Sequence, residues 1–339
     1  MSTENSGNIK KEWMEKGFID EPAQGMSDLK AEIRRMCKEK DAVILAHYYT
    51  VGEIQEVADF IGDSLALARK AADTDAKIIV MCGVHFMAET CKILSPEKTV
   101  LTPDLNAGCS LADSCTADDL RKFKAEHPGY QVVSYVNTTA AVKALTDVVV
   151  TSSNAKQIVD SLPEDEKIIF GPDRNLGNYI NSITGRQMKV WDGACHVHEQ
   201  FSIEKIMKLK EENEDAKVLV HPECPKPIRL IADKIGSTQA LLNYAVENES
   251  KKFIVCTESG ILIQMQKKCP DKTFIPAPPE DGTCACNECN FMKMITLEKL
   301  YNSLKYLAPE IEVEEKLAKK AIKPVKRMLD ISKKLGIIK

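Results

Sequence analysis

Three cysteines, Cys109, Cys195 and Cys289, each lie shortly after the third strand of what reads as a repeated unit. One thiolate from each repeat, meeting on a common axis, would hold a metal cluster and leave one metal site without a protein ligand. The densest cysteine cluster is CACNEC, containing Cys284, Cys286 and Cys289. Its Cys-x-x-Cys pair suits zinc, iron–sulfur ligation or a redox disulfide. No second Cys-x-x-Cys stands elsewhere, so one ligand from this segment joining two distant ones is the favoured reading, with Cys286 a spare thiol.

Cys195 sits in WDGACHVHE, beside His196, His198 and Glu199. A His-x-His pair on a strand also suits a mononuclear metal, and that competing reading stays open. Cys37 and Cys91 fall on helical segments, and Cys82 and Cys256 end apolar strands; all four read as core thiols. Further polar residues gather where strands end: His47, Tyr49 and Ser64; Tyr135, Asn137, Ser152 and Ser153; His221, Glu223, Ser237 and Thr238. In open parallel sheets, ligands bind beyond the carboxyl ends of the strands.

Ser64, Ser152 and the Ser237–Thr238 pair each precede a helix-like run. One such residue alone reads as an N-cap, but three near strand ends suit an anionic substrate. His47, Tyr49, His198, His221 and Glu223 are of the types that donate, accept or shuttle protons near neutrality. His85, on a helix, and His127, before Pro128, read as structural or surface residues.

The elements that must position these residues follow one rhythm. DAVILAHYY, KIIVMCG and KTVLTPD precede Cys109; YQVVSYVN, DVVVTSS and KIIFGPD precede Cys195; AKVLVHPE, KKFIVCTES and KTFIPAPP precede Cys289. Short β-branched runs alternating with helix-period segments predict βαβ units and parallel strands. The expected organisation is a loosely ordered arm at 1–27 and α/β domains at 28–115, 116–200 and 201–310. Residues 311–339 are expected to pack on the body with the first domain. An apolar stripe of Leu317, Ala321, Val325, Met328, Leu329 and Ile331 predicts an amphipathic helix there.

The 339 residues are 44% apolar, enough for several cores, and the formal net charge of −4 argues against a nucleic-acid partner. No apolar run reaches membrane-spanning length, and the N-terminus does not read as a signal peptide. Twelve cysteines in such a chain point to metal or redox work, and a cytoplasmic location is expected.

The segments AHYY, GDSL, NAGCSLAD, SYVNT, TSSNA, GPDRNLGNYI, WDGACHVH, HPEC, GSTQALLNY and CNFMKMITLEKLY together resemble the quinolinate synthase family, over roughly residues 28–310. The resemblance implies three similar αβα domains around a pseudo-threefold axis. It implies condensation of iminoaspartate with dihydroxyacetone phosphate to quinolinate, phosphate and water, in NAD biosynthesis. It also implies a [4Fe–4S] cluster held by Cys109, Cys195 and Cys289, with Cys286 a non-ligand and Met292 near the cluster. The implied substrate site comprises His47, Tyr49, Ser64, Tyr135, Asn137, Ser152, His198, His221, Glu223, Ser237 and Thr238. Tyr49 and Glu223 are the candidates for proton transfer, assisted by His47 and His198. The iron lacking a cysteine would act as Lewis acid, and closure over the pocket would protect hydrolysable iminoaspartate. Ala194 and His196 stand where relatives often carry other residues, which leaves the role of His196 open. The enzyme that produces iminoaspartate is the implied protein partner. Rival readings are a zinc hydrolase or aldolase using His196, His198, His221 and Glu223, a non-catalytic iron–sulfur redox protein, and disulfide control through Cys286 and Cys289.

Overall fold

The apolar run AVILAH and its counterparts form strands because β-branched and aliphatic side chains suit sheets covered by helices on both faces. A computed structural model describes residues 10–23, 28–281 and 287–338. Cys284 and Cys286 lie outside the described residues.

The first sheet contains β1 (Ala42–His47), β2 (Phe60–Gly62), β3 (Ile78–Cys82) and β4 (Thr99–Leu101), in the order β2-β1-β3-β4. The second contains β5 (Gln131–Tyr135), β6 (Val148–Val150), β7 (Ile168–Gly171) and β8 (Lys189–Val190), ordered β6-β5-β7-β8. The third contains β9 (Lys217–Val220), β10 (Lys234–Ile235), β11 (Lys252–Cys256) and β12 (Thr273–Pro276), ordered β10-β9-β11-β12. All neighbouring strands run parallel, so the chain is an α/β protein of three similar αβα units.

Each repeat therefore holds four strands, where the sequence pattern predicted three. The unread strands FIG, KV and KI are two or three residues long, too short to show a period. Two corrections follow. Cys109, Cys195 and Cys289 each come after the fourth strand, not the third. The run DVVVTSS is the second strand of its repeat, equivalent to FIG and KI rather than to KIIVMCG.

Register then assigns equivalent positions. His47 lies opposite Gly62, Tyr135 opposite Val150, and Val220 opposite Ile235, which puts His221 in line with Gly236. His47, Tyr135 and His221 thus share one position at the end of the first strand. Tyr49, Asn137 and Glu223 share a second, two residues on. Ser64, Ser152 and Thr238 share a third, each two residues beyond the second-strand partner.

The chain divides into two compact units, residues 1–109 with 290–318, and residues 110–289 with 319–339. In the first unit, the helix Leu297–Tyr306 sends Leu300, Tyr301 and Leu304 into one core with Ile33, Met36 and Ile44. The described part of the arm is anchored here rather than loose. Trp13 is buried against Ala308 and Tyr306, and Asn302 Nδ2 donates to the carbonyls of Ile19 and Glu21. Burying an indole and pairing backbone carbonyls overrides the polar composition that predicted disorder.

The second unit contains the second and third sheets. The helix Glu315–Lys334 forms where the apolar stripe predicted it, and Ala321, Val325 and Met328 are buried. Beyond Ala318 the helix belongs to this unit, and its side chains reach the second repeat. Ser332 Oγ pairs with Asn154 Nδ2 at 3.0 Å, and Arg327 Nη1 donates to the Asp147 carbonyl at 3.2 Å. Among the described residues no helix is long and apolar enough to cross a membrane.

Candidate functional site

In the first unit, His47 ends β1 and is buried, while Tyr49 is half-buried. Their rings meet edge to face, 4.4 Å between centroids. The Tyr49 backbone N–H donates to His47 Nδ1 at 3.2 Å, so a neutral ring carries its proton on Nε2. Lys293 Nζ donates to the Tyr49 carbonyl at 2.8 Å. Ser64 opens the helix Ser64–Asp73, but the cap is Asp63, whose carboxylate accepts from Ala66 N. Cys109 is half-buried and Met292 buried.

In the second unit, His221 and Glu223 repeat the His47–Tyr49 geometry: Glu223 N donates to His221 Nδ1 at 3.4 Å. His198 enters from the short helix His196–Glu199, which corrects the predicted His-x-His strand. His198 Nδ1 lies 2.7 Å from Glu223 Oε2, and His198 Nε2 pairs with Thr257 Oγ1 at 3.0 Å. The His198 and His221 rings stack at 4.6 Å. Tyr135 also hydrogen-bonds Glu223. Burial works to raise the Glu223 carboxyl, but the two imidazoles and the hydrogen bonds from His198 and Tyr135 outweigh it and hold it at about 2.

The helix turn separates the two histidines of HVH. His196 Nδ1 pairs with Ser110 Oγ at 2.8 Å, and burial keeps this imidazole below its ordinary value. Glu199 pairs with Arg174 at 3.1 Å and with Asn175. Neither side chain joins the Glu223 group. Of the predicted caps, only Ser237 caps a helix, accepting from Ala240 N, and its hydroxyl also meets that of Ser153 at 2.8 Å. Ser152 lies in a turn whose Thr151 N–H is held by Asn154 Oδ1. His127 Nδ1 pairs with the Phe123 carbonyl, in keeping with a structural role.

The sequence reading missed two fully buried carboxylates. Asp173 Oδ2 accepts from Cys195 N at 3.2 Å while its Oδ1 caps the helix Arg174–Thr184. Glu258 Oε1 accepts from Cys289 N at 3.1 Å while its Oε2 takes the Gly260 N–H at 2.7 Å. Both stand two residues beyond the third-strand residue paired with the one just before the first shared position (Gly171 with Ser134, Cys256 with Val220), where the first repeat, with Cys82 opposite Ala46, has Val84. Burial, then the charge of Glu223, pushes Asp173 well above the ordinary carboxylate range. Gly193 completes the Cys195 loop: a Cβ there would meet Ser114 Oγ at 2.4 Å and the Pro172 carbonyl at 2.5 Å, so only glycine lets the loop approach.

Cysteine exposure separates the thiols. Cys37, Cys82, Cys91, Cys115, Cys224, Cys256 and Cys269 are buried, whereas Cys109, Cys195 and Cys289 are not. Burial pushes the thiols of Cys37, Cys91 and Cys115 up to about 12, which leaves them protonated and poor ligands. Cys195 Sγ, a His198 nitrogen and a Glu223 oxygen also lie within 4.8 Å of one another, close enough to share a metal ion. His196 and His221 are outside that trio, and His198 is engaged at both nitrogens. Glu223 Oε1 and Asn137 Oδ1 are shielded and have no hydrogen-bond partner among the described residues, as expected where a polar ligand binds.

A family model described as Quinolinate synthetase A protein matches residues 31–330. Among curated relatives, the quinolinate synthase of Synechococcus sp. is 55% identical over 90% of this chain and 96% of its own length. That of Thermosynechococcus vestitus is 56% identical, with the same two coverages. That of Chloroherpeton thalassium is 53% identical over 94% of this chain and 100% of its own length.

Proposed function

This chain belongs to the quinolinate synthetase A family, and from that membership we propose that it joins iminoaspartate to dihydroxyacetone phosphate, releasing phosphate and water to leave quinolinate for NAD biosynthesis. The observation that carries the reading is the exposure pattern of the cysteines. Among the described residues, the three thiols that are half-buried and not fully buried are one from each repeat, all on loops after the fourth strand.

These residues fit a [4Fe–4S] cluster: three half-buried thiols, two of them on backbone held by buried acidic side chains. Cys109, Cys195 and Cys289 would hold it, and when bound it would supply an iron without a protein ligand as Lewis acid.

The chain's own groups divide the remaining work. Ser64, Ser152, Ser237 and Thr238, at or near helix starts, bind carboxylate and phosphate with Asn137 and Tyr135. Glu223, held ionised across neutrality, is too weak a base to take a proton by itself. It serves by holding His198, whose Nδ1 lies 2.7 Å from Glu223 Oε2, while His221 stacks on the same imidazole, so the three act as one group. Tyr49 is the second proton donor, oriented by His47. Iminoaspartate hydrolyses readily, so an amino-acid-oxidising enzyme must supply it, and that enzyme is the proposed protein partner. The proposed location is the cytoplasm.

Protein purified without oxygen, supplied with iminoaspartate and dihydroxyacetone phosphate, should form quinolinate and phosphate in equal amounts. Iron-loaded protein that forms neither product overturns the reading. Turnover with zinc alone, surviving air, would favour a mononuclear centre at Cys195, His198 and Glu223.

A further inference from the structure

The residues at the second shared position, Tyr49, Asn137 and Glu223, each sit in a turn that has left the sheet ladder, so the carbonyls beside them need partners from elsewhere. In the first repeat, Gln55 Nε2 donates to the carbonyls of Tyr48 at 2.8 Å and Thr50 at 2.9 Å, one on each side of Tyr49. In the second, Lys143 Nζ donates to the carbonyls of Val136, at 2.9 Å, and Thr138, one on each side of Asn137. In the third, Arg229 Nε donates to the carbonyl of Cys224, next to Glu223, at 2.9 Å.

Each donor lies six residues beyond the shared-position residue whose neighbouring carbonyls it holds (both neighbours for Gln55 and Lys143, one for Arg229), on the helix that follows the first strand: Gly52–Val57, Ala140–Lys143 and Lys226–Leu230. An amide, an ammonium and a guanidinium have in common only that they donate to carbonyl oxygen. Gln55 and Lys143 are buried, so neither is there for solubility.

We propose that Gln55, Lys143 and Arg229 are positioning residues, one per repeat, which fix the turns that present Tyr49, Asn137 and Glu223 to substrate. The proposal rests on the reading that those three residues serve quinolinate formation. It predicts that the position accepts any buried donor that reaches the carbonyls and rejects apolar or acidic side chains. Misplacing a reacting group by about 1 Å can cost on the order of 100-fold in rate, so the clamp acts on kcat more than on KM.

The test uses the full chain with its iron, comparing Gln55→Met, which removes the donor, with Gln55→Lys, which imports the solution of the second repeat. Two readouts are taken: hydrogen–deuterium exchange at the amides of Tyr49 and Thr50, and steady-state quinolinate formation. Gln55→Met should speed exchange at that turn and lower kcat roughly 10- to 100-fold, with KM moving less. Gln55→Lys should restore both. In a Tyr49→Phe background, adding Gln55→Met should cost less than about twofold more, since residues acting as one unit are not additive.

A folded Gln55→Met protein with native exchange and native kcat overturns the proposal, as does a fully additive loss in the double variant. Should Gln55→Met fail to fold, Gln55→Lys decides: native exchange supports the clamp, and fast exchange in a folded protein overturns it. If the native protein forms no quinolinate, the functional reading fails, while the exchange measurement still judges the clamp.

Discussion

His198 Nδ1 lies 2.7 Å from Glu223 Oε2, and both side chains are shielded from solvent. His221 stacks on His198 at 4.6 Å, so one carboxylate fixes the orientation of a buried imidazole pair. Glu223→Gln should keep the fold and the iron but lower kcat at least about 100-fold, the scale of a lost acid–base group. Steady-state kinetics with an iron assay checks both halves.

The same carboxylate sets an acid limit. Its folded value, about 2, lies below the ordinary 4.5, so its contribution is present above pH 4.5 and lost as pH falls toward 2. Urea midpoints across that window should fall more steeply for the native protein than for Glu223→Gln.

Asp173 has the opposite sign. Raised by burial and by Glu223, it favours the folded state below its ordinary 3.8 and disfavours it as pH rises through its folded value. Asp173→Asn should therefore gain stability relative to the native protein as pH is raised from about 4. With one acceptor oxygen instead of two, it should also hold the Cys195 loop less firmly and release iron faster to a chelator.

Glu258→Ala removes the acceptor for the Cys289 and Gly260 N–H groups. Stranding buried donors costs about 1–3 kcal/mol, so thermal unfolding should shift down and chelators should strip iron sooner. Iron release followed by absorbance, alongside a melting curve, separates the two effects.

Ser237→Ala should cost about 1 kcal/mol through the lost helix cap, and should weaken substrate binding beyond that. A raised KM for dihydroxyacetone phosphate, with kcat little changed, is the expected outcome.

Nine of the twelve strands among the described residues are legible, because runs such as AVILAH and KIIVMCG combine β-branching with turn residues at their ends. FIG, KV and KI are not, since a strand of two or three residues exists through its ladder partners and leaves no period. Missing them put DVVVTSS out of step with its equivalents and hid the fact that each cysteine loop follows a fourth strand. Histidines, Glu223 and the strand-end serines could be read from their place after apolar runs. Asp173 and Glu258 could not: an acid before a helix looks like an ordinary cap, and only the fold shows it holding the amide of a cysteine some 20 or 30 residues on. The clamp residues were invisible for a related reason, because Gln, Lys and Arg share no composition signal.

Cys109, Cys195 and Cys289, half-buried and one per repeat, are proposed to hold one iron–sulfur cluster. Iron and sulfide should be assayed in oxygen-free preparations of Cys109→Ser, Cys195→Ser, Cys289→Ser and Cys286→Ser. The native chain and Cys286→Ser should each carry about four irons, with the other three variants stripped of both iron and quinolinate formation. Full iron content in Cys195→Ser, or its loss in Cys286→Ser alone, would contradict the account.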